Sequence, residues 1–209
     1  MKIVVMGASG HGQVVADILF QMWTKGREME ILGFLDDDPA LRGTRVLGLP
    51  VLGTFADLAA TPHDCLALGI GDNETRARIY AELTQARKRF VTAIHPCAVL
   101  APDVVVGQAS VLAAGAVANP GAVIGENAIL NTCASIDHHC VLGAHAHVAP
   151  GAHLAGAVIV GEGALVGVGA CAVPGARIGA WSIVGAGAAV TDEVYDRTTV
   201  AGVPARPLA

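Results

Sequence analysis

From Ile94 to Val190 the chain repeats every six residues without losing register. Stepping by six reads Ile94, Leu100, Val106, Leu112, Ala118, Ile124, Leu130, Ile136, Leu142, Val148, Leu154, Val160, Val166, Ala172, Ile178, Val184 and Val190. Fifteen of these seventeen residues are Ile, Leu or Val, and two are Ala. Four places further into each hexad, from Ala98 to Ala188, stands Ala, Ser, Val or Cys. Glycine follows the aliphatic residue at positions 107, 125, 143, 161, 167, 179 and 185. A period of six matches neither the 3.6-residue helix nor the two-residue strand. It fits a solenoid of short parallel strands separated by tight corners, each coil relying on its neighbours to bury its interior. Three hexads make one triangular coil, so seventeen give between five and six. At about 4.8 Å between strands the prism is roughly 27 Å long. Small coils hold small side chains, which is why aromatics are 4% of a chain that is 53% hydrophobic.

The other bounds are negative. A formal net charge of −5 with no basic cluster argues against a nucleic-acid partner. Mean hydropathy is +0.56, but the apolar residues are periodic and broken by Gly, Pro and His, so no membrane span of about 20 apolar residues is expected. The N-terminus enters a strand directly, without the pattern of a signal peptide. Five scattered cysteines, at 65, 97, 133, 140 and 171, predict a reduced, cytoplasmic protein.

The sequence predicts two domains, 1–92 and 93–209. In the first, the strand Lys2–Met6 leads into Gly7-Ala8-Ser9-Gly10-His11-Gly12 and then a helix carrying Val14, Val15, Ile18, Leu19 and Met22. Such a turn lets backbone N–H groups approach an anion at the helix N-terminus. A second strand, Glu30–Leu35, ends in Asp36-Asp37-Asp38. A third, Asp64–Ile70, ends in Gly71-Asp72-Asn73 before a helix over Glu74–Lys88. A small Rossmann-like βαβ sheet follows, with its ligand edge at the strand C-termini. Dinucleotide binding is the rival reading, but the spacing is G-x-x-G-x-G, and about 90 residues suffice for one mononucleotide half. A ligand-free structural turn is the second rival.

The hexad pattern resembles the left-handed parallel β-helix of hexapeptide-repeat acyltransferases, an exception to the right-handed crossover rule. That resemblance implies a homotrimer with acyl-CoA between neighbouring prisms. The order Gly7–Gly12, Leu35-Asp36-Asp37, Gly69-Ile70-Gly71-Asp72-Asn73-Glu74-Thr75-Arg76 and solenoid covers nearly the whole chain. It is similar to the sialic acid O-acetyltransferase NeuD family, nearest in pattern to its bacterial UDP-4-amino-sugar N-acetyltransferases of PglD type. The resemblance implies that Ser9, Gly10 and His11 hold a nucleotide sugar and that Asp36, Asp37 and Gly71 complete its site.

Within the solenoid, Asp137-His138-His139-Cys140 is the segment richest in chemistry. With Ile136 inward, His138 and His139 occupy an outward corner. Acyl transfer needs a base for the attacking amine or hydroxyl, and imidazole titrates in the right range. The resemblance assigns that role to His138, but His139 stands where the family carries an acid. Asp137 on the other flank remains a candidate orienter. The rival is a metal, since five histidines lie between 138 and 153. None has a histidine partner at 18 or 36 residues, the spacing that stacked zinc ligands need. The resemblance also places His147, Gly156, Val168 and Gly185-Ala186-Gly187 along acetyl-CoA, with the Gly156 N–H near the transferred acetyl. Asn131 either orients substrate or belongs to an internal asparagine ladder. The tail Val200–Arg206 is expected to cap the prism. Cys133 and Cys140 suggest an acyl-cysteine, but Cys140 sits at a small-residue position that packing explains.

The expected activity is acetyl-CoA-dependent N-acetylation of the 4-amino group of a UDP-linked amino-dideoxy sugar, in a ternary complex, with acetyl-CoA as co-substrate and no tightly bound cofactor or metal. O-acetylation of sialic acid or a related sugar is the alternative. A non-catalytic nucleotide-binding scaffold is the second.

Overall fold

The computed structural model describes residues 1–26 and 28–208. The chain divides into two compact units, Met1–Pro96 and Cys97–Ala209.

In the first unit, β1 (Lys2–Met6) leads to α1 (Gly10–Thr24), β2 (Glu30–Leu35), β3 (Arg45–Val46), β4 (Leu49–Gly53), β5 (Cys65–Leu68) and α2 (Asn73–Gln85). The sheet order is β3-β4-β2-β1-β5, with β1 parallel to both β2 and β5. Ile3, Val4, Val5 and Met6 are at most 1% exposed, as expected of an unalternating apolar strand covered on both faces. On α1, Val15, Ile18, Leu19 and Met22 are buried, the i, i+3, i+4, i+7 stripe of an amphipathic helix. Against expectation, β5 spans Cys65–Leu68, because Gly69-Ile70-Gly71 leaves the sheet, and α2 stops at Gln85 instead of Lys88, with Arg87 at φ 55°. The antiparallel β3–β4 hairpin was not foreseen. Its two-residue turn, Leu47-Gly48, has φ of 49° and 76°, the left-handed pair that suits strand twist.

The second unit is a triangular prism. Its three faces are parallel sheets in which each residue pairs with the one 18 later: Val117 with Ser135, Val123 with Val141, Ile129 with His147. Three hexads therefore make one coil. Leu112, Ile124, Leu130, Ile136, Leu142, Val148, Val160 and Val166 fill the interior at no more than 1% exposure.

The corners use glycine in two ways. A Cβ on Gly125 would lie 2.6 Å from the Ala144 amide nitrogen of the next coil, so at this corner the place after the aliphatic residue has no room for a side chain. Two residues on, every hexad from Val106 to Val184 turns through positive φ, and seven of those fourteen residues are Gly. The others include Asn127, Cys133, His139 and His145. At the end, Thr199–Ala201 joins the stack beside Ile183–Val184, and Arg206–Pro207 folds back antiparallel on it.

Candidate active site

The N-terminal unit carries a cleft of about 430 Å³ at the C-terminal ends of β1, β2 and β5, lined by Ser9, Asp36, Asp37, Gly71 and Asp72 among others. Glycines shape its floor. A Cβ on Gly12 would run into the Gly7 carbonyl, and one on Gly69 would overlap the Gly12 backbone, so helix and strand meet backbone to backbone. Gly10, by contrast, opens α1 with nothing around its Cβ position. The α1 N-cap, Ser9, does not bond the helix with its side chain, and no acid stands in the first turn. The helix therefore starts without a side-chain cap or a first-turn acid to meet its positive end.

The acids divide the work. Asp36 accepts from the Ala8 amide (2.6 Å) and the Asp38 amide (2.9 Å), tying the glycine turn to the end of β2. Asp37 accepts from the Phe55 amide (2.8 Å). Asp72 caps α2 through the Thr75 amide at 2.8 Å, and the Thr75 hydrogen bonds hold its carboxyl below the usual carboxylate value. His11 is half-buried beside Gly71. Burial, helped by the Arg76 charge, lowers its pKa to about 4, so the imidazole is neutral near pH 7. Sequence reasoning passed over Arg76. It is 1% exposed, donates to the Ile70 and Gly71 carbonyls (3.2 Å each) and to Asn73 Oδ1 (2.9 Å), and burial lowers it to about 10. Its signal in the sequence was a lone cation on the apolar face of α2, at i, i+3, i+4 with Ile79 and Tyr80.

In the prism, His138 and His139 stand exposed at one corner. Their Nδ1 atoms are 3.0 Å apart, and the rings meet edge to face at 78°. Asp137 makes no hydrogen bond to either imidazole. Its Oδ1 accepts from the His138 backbone N–H (2.7 Å) and from Asn119 Nδ2 (2.9 Å), which hold its carboxyl below the usual value. The structure thus pairs His138 with His139. The Cε1–Nε2 edge of His138 lies against Gly156, one coil on, where any Cβ would overlap the ring. The Gly156 N–H donates to no acceptor among the described residues. His139 rests in the same way on Gly121, one coil back. Asn119, Gly121 and Gly156 lie 18 residues from Asp137, His139 and His138, so the coil period was the signal that could have found the first two.

The remaining candidates follow a different edge of the prism. Asn131 Nδ2 donates to His147 Nε2 at 3.0 Å, making Asn131 a partner of His147. Val168, 56% exposed, accepts through its carbonyl from the Gly187 amide (2.8 Å). Gly185 and Ala186 share that corner. Gly185 abuts Ala201, in the strand Thr199–Ala201 that joins the stack. The face carrying Ser135, His153 and Cys171 separates this edge from the His138 corner. His145 bonds Asn127, and His153 bonds Ser135, each at 2.8 Å. Among the described residues no three His, Cys, Asp or Glu converge to hold a metal. The Cys140 thiol is buried, donates to the Ala155 carbonyl, and is pushed up by that burial, which suits packing.

A prism of hexapeptide coils with an exposed histidine corner defines a class, the hexapeptide-repeat acyltransferases, whose prism is a left-handed parallel β-helix. Residues 2–83 match the PglD N-terminal domain family. The acetyltransferase domain of PglB from Neisseria gonorrhoeae FA1090, solved with acetyl coenzyme A, is 38% identical with a TM-score of 0.92, over 99% of this chain and 98% of that one. PerB from Caulobacter crescentus, solved with CoA and GDP-perosamine, is likewise 38% identical with a TM-score of 0.92, over 100% of this chain and 98% of that one. The UDP-N-acetylbacillosamine N-acetyltransferase of Bacillus subtilis (strain 168) is 35% identical over 115 residues, 54% of this chain and 51% of its own length, so the match spans about half of that curated relative. The chain belongs to the PglD-type family of hexapeptide-repeat acetyltransferases.

Proposed function

We propose that the chain transfers an acetyl group from acetyl-CoA to the 4-amino group of a UDP-linked amino-dideoxy sugar, by direct attack in a ternary complex. The observation that carries this reading is the His138 ring lying against Gly156, with the Gly156 N–H unused beside it. A base and an amide donor side by side are what aminolysis of a thioester requires. The neutral amine attacks the thioester carbonyl, and its C–N bond forms as the carbonyl oxygen becomes an oxyanion held by the Gly156 N–H. His138 Nε2 takes the proton from the attacking nitrogen. The C–S bond then breaks, and the proton passes to the departing CoA thiolate.

Asn131, His147, Val168 and the Gly185–Gly187 corner would line the pantetheine arm. They occupy a different edge from His138, so we assign the site to two copies of the chain, in a homotrimer that sets one chain's histidine corner against its neighbour's coenzyme edge. The N-terminal cleft would take the nucleotide, its diphosphate on the open first turn of α1 and its hydroxyl or N–H donors on the acids. The amino sugars named for the relatives favour nitrogen over oxygen as the acceptor atom.

The test is acetyl transfer to UDP-4-amino-4,6-dideoxy sugar, its GDP counterpart and sialic acid, with His138→Ala alongside. The expected result is turnover with the UDP amino sugar, reduced about a hundredfold or more in the variant. Turnover confined to the GDP sugar or to sialic acid overturns the substrate assignment, and an undiminished His138→Ala overturns the base.

A further inference from the structure

We infer that His138 and His139 act as one proton-sharing pair, in which His139 Nδ1 accepts the His138 Nδ1–H and so holds His138 in the tautomer whose Nε2 is bare. The inference rests on His138 as the base of the proposed reaction, and His139 is a positioning residue in it. Two nitrogens 3.0 Å apart can hold one hydrogen between them, because a neutral imidazole has one donor and one acceptor nitrogen. Of the two arrangements, this one leaves a lone pair on the His138 edge that faces Gly156. The reverse would put a hydrogen there.

The pair is built in from both sides. His139 sits at the positive-φ place of its hexad, φ 58°, and both rings are seated on glycines, at 121 and 156, that admit no Cβ. No hydrogen bond joins Asp137 to either ring; its Oδ1 accepts from the His138 amide and Asn119. Charge near the pair comes from that carboxylate and, beyond Gly121, from Asp103, whose Oδ2 accepts from the Gly121 amide at 2.9 Å. From the following coil, Gly156 and Ala157 bring no charge.

Replacing the family's acid by histidine alters the chemistry of the pair. A carboxylate would favour the imidazolium by charge, whereas a neutral imidazole favours it only through the hydrogen bond. Both rings cannot be cationic at once without aiming two N–H groups at each other.

The first arm needs no substrate. Histidine-selective 15N NMR of the full chain at pH 8, with signals assigned by their loss in His138→Gln and His139→Gln, reads the tautomers directly. The expected pattern is Nδ1–H on His138 and Nε2–H on His139; Nε2–H on His138 overturns the inference. The second arm is kinetic. His139→Phe keeps a ring but removes the acceptor, and should lower kcat about 10- to 100-fold with both KM values within about twofold. His139→Glu should restore most of kcat and move the acid limb of its pH profile upward. A Phe variant with undiminished kcat, or a Glu variant with an unmoved limb, overturns the inference. If the wild type transfers no acetyl group to any of the three acceptors, the proposed function fails while the NMR arm still decides the pair.

Discussion

At the scale of single residues, position 156 separates shape from chemistry. A methyl there would overlap the His138 ring, while the backbone is not at a positive φ that needs glycine. Gly156→Ala is therefore expected to leave the fold intact and lower kcat at least about tenfold by displacing His138, the proposed base, checked by kinetics beside circular dichroism. Preserved kcat would mean that the His138 seat is unimportant. This glycine was marked by family resemblance as an amide donor. Its second role, as the seat of a ring one coil away, depends on a contact between stacked strands that no local spacing displays. In the same way, the chain reads Asp137-His138 as neighbours and invites a carboxylate–imidazole pair. The backbone instead sends the carboxylate to the amide of the adjacent residue.

At the scale of elements, the two kinds of corner glycine predict two magnitudes. Gly175→Ala places a methyl in open space at φ 73°, and should lose about 1–2 kcal/mol, the strain of the left-handed region. Gly143→Ala drives a methyl to within 2.6 Å of the Glu162 amide nitrogen. It should lose more than Gly175→Ala, roughly 3 kcal/mol or beyond, because coils must separate to admit it. Urea unfolding of both variants measures the difference, and equal losses would refute the distinction. The hexad period showed aliphatic, glycine and small positions, and the left-handed place was there too, in Gly115, Gly121 and Gly151. It was overlooked because His139, Cys133 and Trp181 share it.

The N-terminal helix makes a pH prediction. The folded His11 pKa, about 4, lies below its unfolded 6.5. Its contribution to stability is complete above pH 6.5 and is lost as pH falls through 4. That difference is worth about 3 kcal/mol. In His11→Gln, the fall in stability of the N-terminal unit between pH 7 and 4 should be correspondingly shallower in urea titrations. An unchanged slope would place the acid sensitivity elsewhere.

At the scale of the whole molecule, the two edges of the prism make assembly testable. His138→Ala and His147→Ala chains, each weak alone, should recover activity when unfolded and refolded together. Up to about a quarter of the sites in a random mixture would combine an intact histidine corner with an intact coenzyme edge. No recovery in the co-refolded mixture would place the whole site within one chain. Saturating acetyl-CoA should also raise the thermal midpoint, by the linkage that a ligand of the native state imposes.

The six-residue period by itself determined the prism, its three faces and its interior, because a repeat in the chain is a repeat in space once strands stack in register. The apolar run of β1 and the glycine turn likewise announced a small parallel sheet with an anion-ready helix end. What only the tertiary structure decided was which polar group meets which: Asn119 on Asp137, His139 on His138, Asn131 on His147, and Arg76 on the Ile70 and Gly71 carbonyls. Those choices turn on distances of about 3 Å between groups whose neighbours in space are set by coil stacking and backbone direction. A periodic pattern specifies which face a residue takes, and hydrogen-bond geometry then selects its partner.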